Sequence, residues 1–191
     1  NGLKQYDKAI KSVNKSIEIL NKQFGETHYN LISSFTVQGN THFFMGNYEN
    51  SVKSYNKALD IFDRTETDLN SYDIYMNRGN AYVKMEEFQE AIKNYSYAID
   101  NLKDRYGNIH PTLANCYYNL AHIYELQEEE HDLVIETLQE AKKCLNYEGI
   151  ELLNRVNSLD ILIDVLIYNG LTYLNILNRD TISLYSSNHF E

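Results

Sequence analysis

The sequence predicts an all-α protein in which helical hairpins stack one after another into a solenoid. Three observations predict this fold: a repeat of about forty residues, apolar residues at three- and four-residue steps within it, and few helix breakers. Proline occurs once and glycine eight times in 191 residues, which favours long helices over a loop-rich β fold. A fixed period of this size is typical of stacked units that cannot bury their apolar faces alone.

Small and aromatic residues recur at fixed positions. In the first copy they are Phe35, Gly39, His42, Gly46, Tyr48, Tyr55 and Ala58. Forty residues later they are Tyr75, Gly79, Tyr82, Glu86, Phe88, Tyr95 and Ala98. A third, looser copy contributes Tyr117, Ala121, Tyr124 and Ala141. Antiparallel helices pack closely where one presents a hole and the other a ring. We therefore expect buried holes, filled by the rings, at Gly39, Gly79 and Ala121 in first helices and at Ala58, Ala98 and Ala141 in second helices.

A leading half repeat is predicted over residues 3–25. Its apolar residues follow helical steps from Tyr6 to Leu20, and Gly25 is placed to take a left-handed cap. This segment resembles the second helix of a hairpin, so we expect the chain to be a fragment of a longer protein.

About four hairpins follow, over residues 28–64, 69–106, 111–146 and 149–187, and together they form a single repeat domain over 1–191. The predicted helices are 29–45, 48–64, 69–85, 88–106, 111–126, 132–145, 149–169 and 171–186. Gly46-Asn47 and Asn169-Gly170 mark tight turns, and Pro111 suits the first position of a helix.

Composition excludes several function classes. A formal charge of −10 argues against nucleic acid and against an anionic membrane surface. The longest apolar stretch, 159–177, is interrupted by Asp160, Asp164, Asn169 and Asn175, so it is no membrane span. Cys116 and Cys144 lack the spacing of a disulfide framework, which indicates reduced thiols and a cytoplasmic protein.

The sequence does not predict an enzyme. It has no Gly-rich phosphate loop, His-Glu-x-x-His helix, CxxC pair or nucleophile elbow. Its six histidines are scattered, and Asp160 and Asp164, one helical turn apart, are more typical of a solvated face than of a cation site. We therefore expect no catalytic residues, no metal site and no cofactor.

The repeat resembles the tetratricopeptide repeat. The resemblance is carried by Phe35-x2-Gln38-Gly39-x2-His42-x3-Gly46-x-Tyr48-x2-Ser51-x3-Tyr55-x2-Ala58, by Tyr75-x2-Arg78-Gly79-x2-Tyr82-x3-Glu86-x-Phe88-x2-Ala91-x3-Tyr95-x2-Ala98, and by Tyr117-x2-Leu120-Ala121-x2-Tyr124. The period of 40 to 43 and the segment Tyr106-Gly107-x2-His110-Pro111 are similar to the longer-period subclass of kinesin light chains. The resemblance implies a right-handed superhelix whose first helices line a concave groove for a peptide or partner helix.

In that arrangement the groove is rich in asparagine. The candidate peptide-binding residues are Asn40, Asn77, Asn80, Lys84, Asn115, Asn119 and His122. An asparagine amide can donate to a peptide carbonyl and accept from a peptide N–H, so a row of them can hold an extended backbone. The alternative is that an asparagine-rich chain simply places Asn at every exposed position.

The charge of the expected groove favours a neutral or basic partner segment. Asn40 and Asn77 match two positions of the clamp with which some relatives hold an acidic chaperone tail. Thr36, Asn115 and Asn119 stand where that clamp needs Lys or Arg, so we do not expect an acidic tail. The acidic residues expected near the groove also favour a neutral or basic segment: Asp73, Glu125, Asp160 and Asp164.

The last predicted hairpin is apolar around more than one stripe, and a solenoid end needs a polar cap. Either helix 171–186 packs back over this end, or the C-terminal helices form a homodimer. Two functions remain open: a protein-interaction scaffold that binds a partner in its groove, or a peptide-responsive regulatory receptor that controls an effector domain outside this sequence.

Overall fold

A computed structural model of the protein describes residues 2–65, 69–127 and 131–145. It contains seven α-helices in these residues: α1 Gly2–Phe24, α2 Asn30–Phe44, α3 Tyr48–Arg64, α4 Tyr72–Lys84, α5 Phe88–Tyr106, α6 Pro111–Leu126 and α7 His131–Leu145. Except for Leu145, they belong to one compact unit, Asn1–Cys144. The predicted hairpin at 149–187, with Asp160, Asp164 and the apolar C-terminal helices, lies outside the described residues.

The predicted helix bounds agree with the observed ones to within one or two residues, apart from α4. This helix begins at Tyr72, three residues after the predicted start at Leu69. Ser71 is buried, and its hydroxyl donates a hydrogen bond of 2.9 Å to Asn101 Oδ1 on α5. Asn70 Nδ2 donates to the hydroxyl of Tyr106, also on α5, at 3.1 Å. These side chains therefore fix the chain to α5 before the helix can start.

The helices pack as two antiparallel hairpins, α2 with α3 and α4 with α5, each in contact with the next helix along the chain. α2 also contacts α4, so the first helices of successive hairpins lie side by side. The predicted holes are buried: Gly39, Ala58, Ala98 and Ala141 all lie inside. The ring of Tyr55 packs against Gly39, and the ring of Tyr95 packs against Gly79.

The two short turns within the hairpins have the same geometry. Gly46 (φ 77°) and Glu86 (φ 60°) both adopt the left-handed conformation that ends a helix. Asn47 N–H donates to His42 O, and Glu87 N–H donates to Tyr82 O, both at 2.9 Å. The left-handed position that ends the first helix of each hairpin is thus glycine in the first repeat and glutamate in the second.

The first helix of the third predicted hairpin, α6, begins as predicted, with Pro111 in its first turn. His110 caps this helix, because its Nδ1 accepts a hydrogen bond of 3.2 Å from Thr112 N–H. Among the seven described helices, none is both long and apolar enough to cross a membrane.

Candidate peptide-binding surface

Asn40 and Asn77 join the first helices of two hairpins. Asn77 Nδ2 on α4 donates a hydrogen bond of 3.3 Å to Asn40 Oδ1 on α2. The same oxygen accepts a hydrogen bond of 2.6 Å from the hydroxyl of Tyr55, which comes from α3 behind it. Both asparagines are half-buried. The two residues that the sequence placed in one groove are therefore neighbours on one continuous surface.

Asn80 repeats this arrangement one hairpin later. Its Oδ1 accepts a hydrogen bond of 2.5 Å from the hydroxyl of Tyr95 on α5. Asn80 lies three residues after Asn77, one helical turn along α4, and it is half-buried as well. Lys84 follows at the exposed end of the same helix. α4 thus carries three of the seven predicted site residues within two turns.

The predicted residues of the third repeat lie on α6. Asn115 is exposed, and Asn119 and His122 are half-buried. His122 Nδ1 is 3.6 Å from Glu125 Oε2, and it has no hydrogen-bond partner. Within the described chain, no hydrogen bond links these side chains to Asn40, Asn77 or Asn80, so their place on the same surface remains a prediction.

Apolar side chains accompany the amides on α2. Val37 is about half exposed, and Phe44 is 65% exposed, the highest value among the described large apolar residues. The ring of Tyr6 on α1 stacks on Phe44, with 6.2 Å between centroids. Val37 and Phe44 lie three residues before and four residues after Asn40 on α2, so they share its face of the helix. With Tyr6 of α1 stacked on Phe44, they form an apolar patch that could hold an apolar side chain of a bound segment.

Burial governs the ionisable groups near these residues. Desolvation raises the pKa of the Tyr55 hydroxyl to about 12, and it raises the pKa of Tyr95 further. Both phenols are therefore protonated at neutral pH and act as hydrogen-bond donors. Desolvation also raises the pKa of Asp73 on α4 above its usual range.

The structure adds two hydrogen-bond donors to the candidate surface that the sequence did not indicate, Tyr55 and Tyr95. The sequence marked them only as rings that fill the space between helices. Their hydroxyls reach asparagines 15 residues away in the chain. A signal was present, because Asn40/Tyr55 and Asn80/Tyr95 recur with the same spacing, but a repeat alone does not say which atoms meet.

A second candidate is an open depression of about 340 Å³ along α1, lined by Ser12, Lys15, Ser16, Ile19 and Leu20. Ser12 and Ser16 of α1 are equivalent, in the repeat, to Asn94 and Ala98 of α5. Asn94 and Ala98 are buried on the face of α5 that packs against α4, whereas Ser12 and Ser16 are exposed. The depression therefore reflects the helix-packing face of a repeat. Its side chains do not form a chemical site, and in the described residues no group of three His, Cys, Asp or Glu could hold a metal ion.

Comparison with known proteins identifies the fold and the family. The tetratricopeptide repeat model matches residues 1–64 and 71–146. One crystal structure of MamA aligns with a TM-score of 0.57 at 16% identity, over 73% of this chain and 68% of that chain. A second crystal structure of MamA aligns with a TM-score of 0.55 at 21% identity, over 75% of this chain and 66% of that chain. BtubC (BKLC) from P. vanneervenii aligns with a TM-score of 0.59 at 16% identity, over 84% of this chain and 58% of that one. No curated protein sequence gave a significant match.

The chain belongs to the tetratricopeptide repeat family, because the family model covers most of its length. The predicted tetratricopeptide repeat family and the predicted all-α solenoid are confirmed. The longer-period, kinesin-light-chain-like form of the repeat stays a prediction. At the identities found, the solved structures establish the fold alone, and the chain spans less than two thirds of BtubC. The family makes the chain a scaffold for protein–protein interaction, a class whose members in general bind proteins and are not enzymes.

Proposed function

We propose that the chain binds an extended peptide, or a helix of a partner protein, in a groove lined by α2, α4 and α6. The observation that carries this proposal is the hydrogen bond between Asn77 and Asn40. It joins two polar side chains of successive repeats, on helices that lie side by side, into one half-exposed surface. A row of polar amides with access to solvent is suited to the main chain of a ligand, which offers N–H and C=O groups along its whole length.

The partner segment is neutral or basic and carries at least one apolar side chain. Among the predicted groove residues that the structure describes, Asp73 and Glu125 are acidic and Lys84 is basic. The chain as a whole has a formal charge of −10, so a neutral or basic segment is the better electrostatic match. The patch of Tyr6, Val37 and Phe44 supplies the apolar contact. Each hydrogen bond contributes on the order of 0.5–1.5 kcal/mol, so several of them with one apolar anchor give affinities in the micromolar range.

A peptide selection tests this proposal directly. A displayed library of random twelve-residue peptides would be selected on the protein, and the dissociation constant of the best peptide measured by calorimetry. We expect the double variant Asn77→Ala, Asn119→Ala to bind that peptide at least about tenfold more weakly while unfolding at the same temperature. The matched control is Asn50→Ala, Asn108→Ala, which removes two exposed asparagines outside the predicted groove. Equal binding by all three proteins would remove the groove as the binding site.

Three further parts of the proposal concern location, assembly and regulation. A cytoplasmic location is supported by the two thiols, Cys116 and Cys144, which are buried and unpaired. A homodimer would involve C-terminal helices outside the described residues, and light scattering in dilute buffer decides between monomer and dimer. The receptor alternative requires that a bound peptide change the packing of the repeats, which small-angle scattering with and without the selected peptide would detect.

A further inference from the structure

We infer that the hydroxyls of Tyr55 and Tyr95 fix the side-chain amides of Asn40 and Asn80 in one orientation, with the NH2 groups turned toward the ligand, so that this part of the groove recognises carbonyl oxygens. The inference rests on the proposed function, which it makes more specific. It assigns Tyr55 and Tyr95 as positioning residues, because each acts on the ligand only through an asparagine.

The first step is the fate of the phenolic proton. Tyr55 and Tyr95 are each 1% exposed, so water cannot accept their protons. A buried O–H without an acceptor costs on the order of 1–3 kcal/mol, and the pKa of each phenol is raised, so the proton stays on the hydroxyl. The acceptors are Asn40 Oδ1 at 2.6 Å and Asn80 Oδ1 at 2.5 Å. In the structure each amide turns its oxygen inward to accept the phenolic proton. Ser51 also lies beside the Tyr55 hydroxyl, but its own hydroxyl donates to Gly39 O.

The second step is the geometry of the amide. In an asparagine side chain the oxygen and the NH2 group lie on opposite sides of one planar group, so an inward oxygen turns the NH2 group outward. Asn40 is further constrained, because its oxygen also accepts from Asn77 Nδ2 at 3.3 Å and thus uses both lone pairs. What remains of Asn40 for a ligand is two N–H donors and no acceptor. From the sequence each amide is expected to donate and accept, whereas in the structure Asn40 has no acceptor left for a ligand.

The third step comes from the repeats themselves. In the third repeat the position of Tyr95 is occupied by Leu138 and the position of Asn80 by His122. Where the hydroxyl is absent, the asparagine is absent too, and His122 Nδ1 has no hydrogen-bond partner. If the tyrosines served packing alone, the loss of a hydroxyl would place no demand on the residue at the Asn position. The pairing indicates that the two residues work as one unit in the first two repeats.

The ligand chemistry follows from two fixed donors on neighbouring helices. They fit main-chain carbonyls of an extended peptide that crosses from the first repeat to the second. Fixing the amides before binding lowers the entropy lost on binding, so the orientation contributes to affinity without adding a contact.

The test uses the full chain, the selected peptide described above and the double variant Tyr55→Phe, Tyr95→Phe, which keeps both rings. We expect the variant to bind the peptide about three- to tenfold more weakly, as for the loss of roughly one hydrogen bond. The control is Ser54→Ala, which removes a buried hydroxyl that donates to Gln38 in the same helix pair without contact to Asn40. It should lower the unfolding temperature and leave the dissociation constant unchanged.

A thioamide scan of the peptide reads the direction of the hydrogen bonds. A thioamide sulfur accepts more weakly than oxygen, and its N–H donates more strongly. If Asn40 and Asn80 donate, a thioamide at the contacting residues weakens binding to the wild type and has less effect on the Tyr→Phe variant. Tighter binding of the thioamide peptides would mean that the amides accept, and the inferred orientation would be wrong.

The inference and the proposed function fail in different ways. If Asn40→Ala, Asn80→Ala weakens binding but Tyr55→Phe, Tyr95→Phe does not, the groove stands and the positioning role is lost. If no peptide depends on the asparagines, the proposed function is lost, and NMR of the free protein still decides the orientation. We expect the side-chain 15N order parameters of Asn40 and Asn80 to fall in the Tyr→Phe variant but not in Ser54→Ala; equal values would overturn the inference.

Discussion

The ring of Tyr55 occupies the space that a β-carbon on residue 39 would need. A Cβ built on Gly39 would lie 2.5 Å from Tyr55 Cε1, whereas a Cβ on Gly79 would lie 3.1 Å from Tyr95 Cε1. The first distance is far inside van der Waals contact, and the second needs a shift of only a few tenths of an ångström. Two glycines at equivalent repeat positions thus differ in how strictly they exclude a side chain.

This difference predicts unequal costs of alanine substitution. Gly39→Ala should lower the free energy of unfolding by about 1–2 kcal/mol, because overpacking outweighs the gain in helix propensity. Gly79→Ala should change it by less than about 1 kcal/mol, since the two effects nearly cancel. Urea denaturation of both variants measures this. In a Tyr55→Leu background the cost of Gly39→Ala should shrink, and an undiminished cost would exclude the ring as its cause.

Enlarging a buried alanine tests the packing of the second helices. Ala98 is fully buried, so Ala98→Leu forces extra volume into a closed joint and should lower the free energy of unfolding by roughly 1–3 kcal/mol. Ser96→Leu is the matched control, because Ser96 is exposed on the same helix. An unchanged melting temperature for Ala98→Leu would contradict the repeat register.

The left-handed turn at Glu86 is a site for stabilisation. A residue with a β-carbon is destabilised by about 1–2 kcal/mol in the left-handed conformation, and glycine is not. Glycine loses more backbone entropy on folding, however, which cancels part of this advantage. We expect Glu86→Gly to raise the free energy of unfolding by about 0.5–1 kcal/mol. Gly46→Ala should lower it by a similar amount, since Gly46 has the same geometry. Changes of the same sign in the two variants would argue against the backbone explanation.

His42 predicts a dependence of stability on pH. Desolvation lowers its pKa from the usual 6.5, and its buried Nδ1 has no hydrogen-bond partner. The folded state therefore prefers neutral histidine, so its contribution to stability is complete above pH 6.5 and is lost as the pH falls through the lower folded-state pKa.

The equivalent residue of the second repeat, Tyr82, suggests the test. His42→Tyr should raise the free energy of unfolding by about 1 kcal/mol at neutral pH, because it removes an unpaired buried nitrogen. The advantage over wild type should grow as the pH falls from 7 to 5. Thermal melts across this range measure it, and a constant difference would mean that His42 does not titrate with unfolding.

The two thiols should be unreactive in the folded protein. Burial raises the pKa of Cys116 to about 12 and raises that of Cys144 as well, so little thiolate exists at neutral pH. We expect a thiol reagent such as DTNB to modify neither residue until urea unfolds the chain. Rapid modification of Cys116 under native conditions would contradict its burial.

The sequence by itself determined the described helices and the pairing of α2 with α3 and of α4 with α5. The turn at Gly46 and the start of α6 at Pro111 could be predicted because glycine and proline act on the backbone next to them. Ala58 and Ala98 mark a repeat that is visible without coordinates. Those signals are local or periodic, so they can be read along the chain.

Only the tertiary structure decided what the polar side chains do. Asn40 looked like a free amide, yet its oxygen is used by Tyr55 and Asn77. Ser71 looked like a residue inside a helix, yet its hydroxyl bonds to Asn101 and the helix begins after it. A hydrogen bond depends on distances of a few ångströms between atoms on different helices. Sequence spacing does not fix such distances, because they are set by how closely each ring lets its neighbours approach.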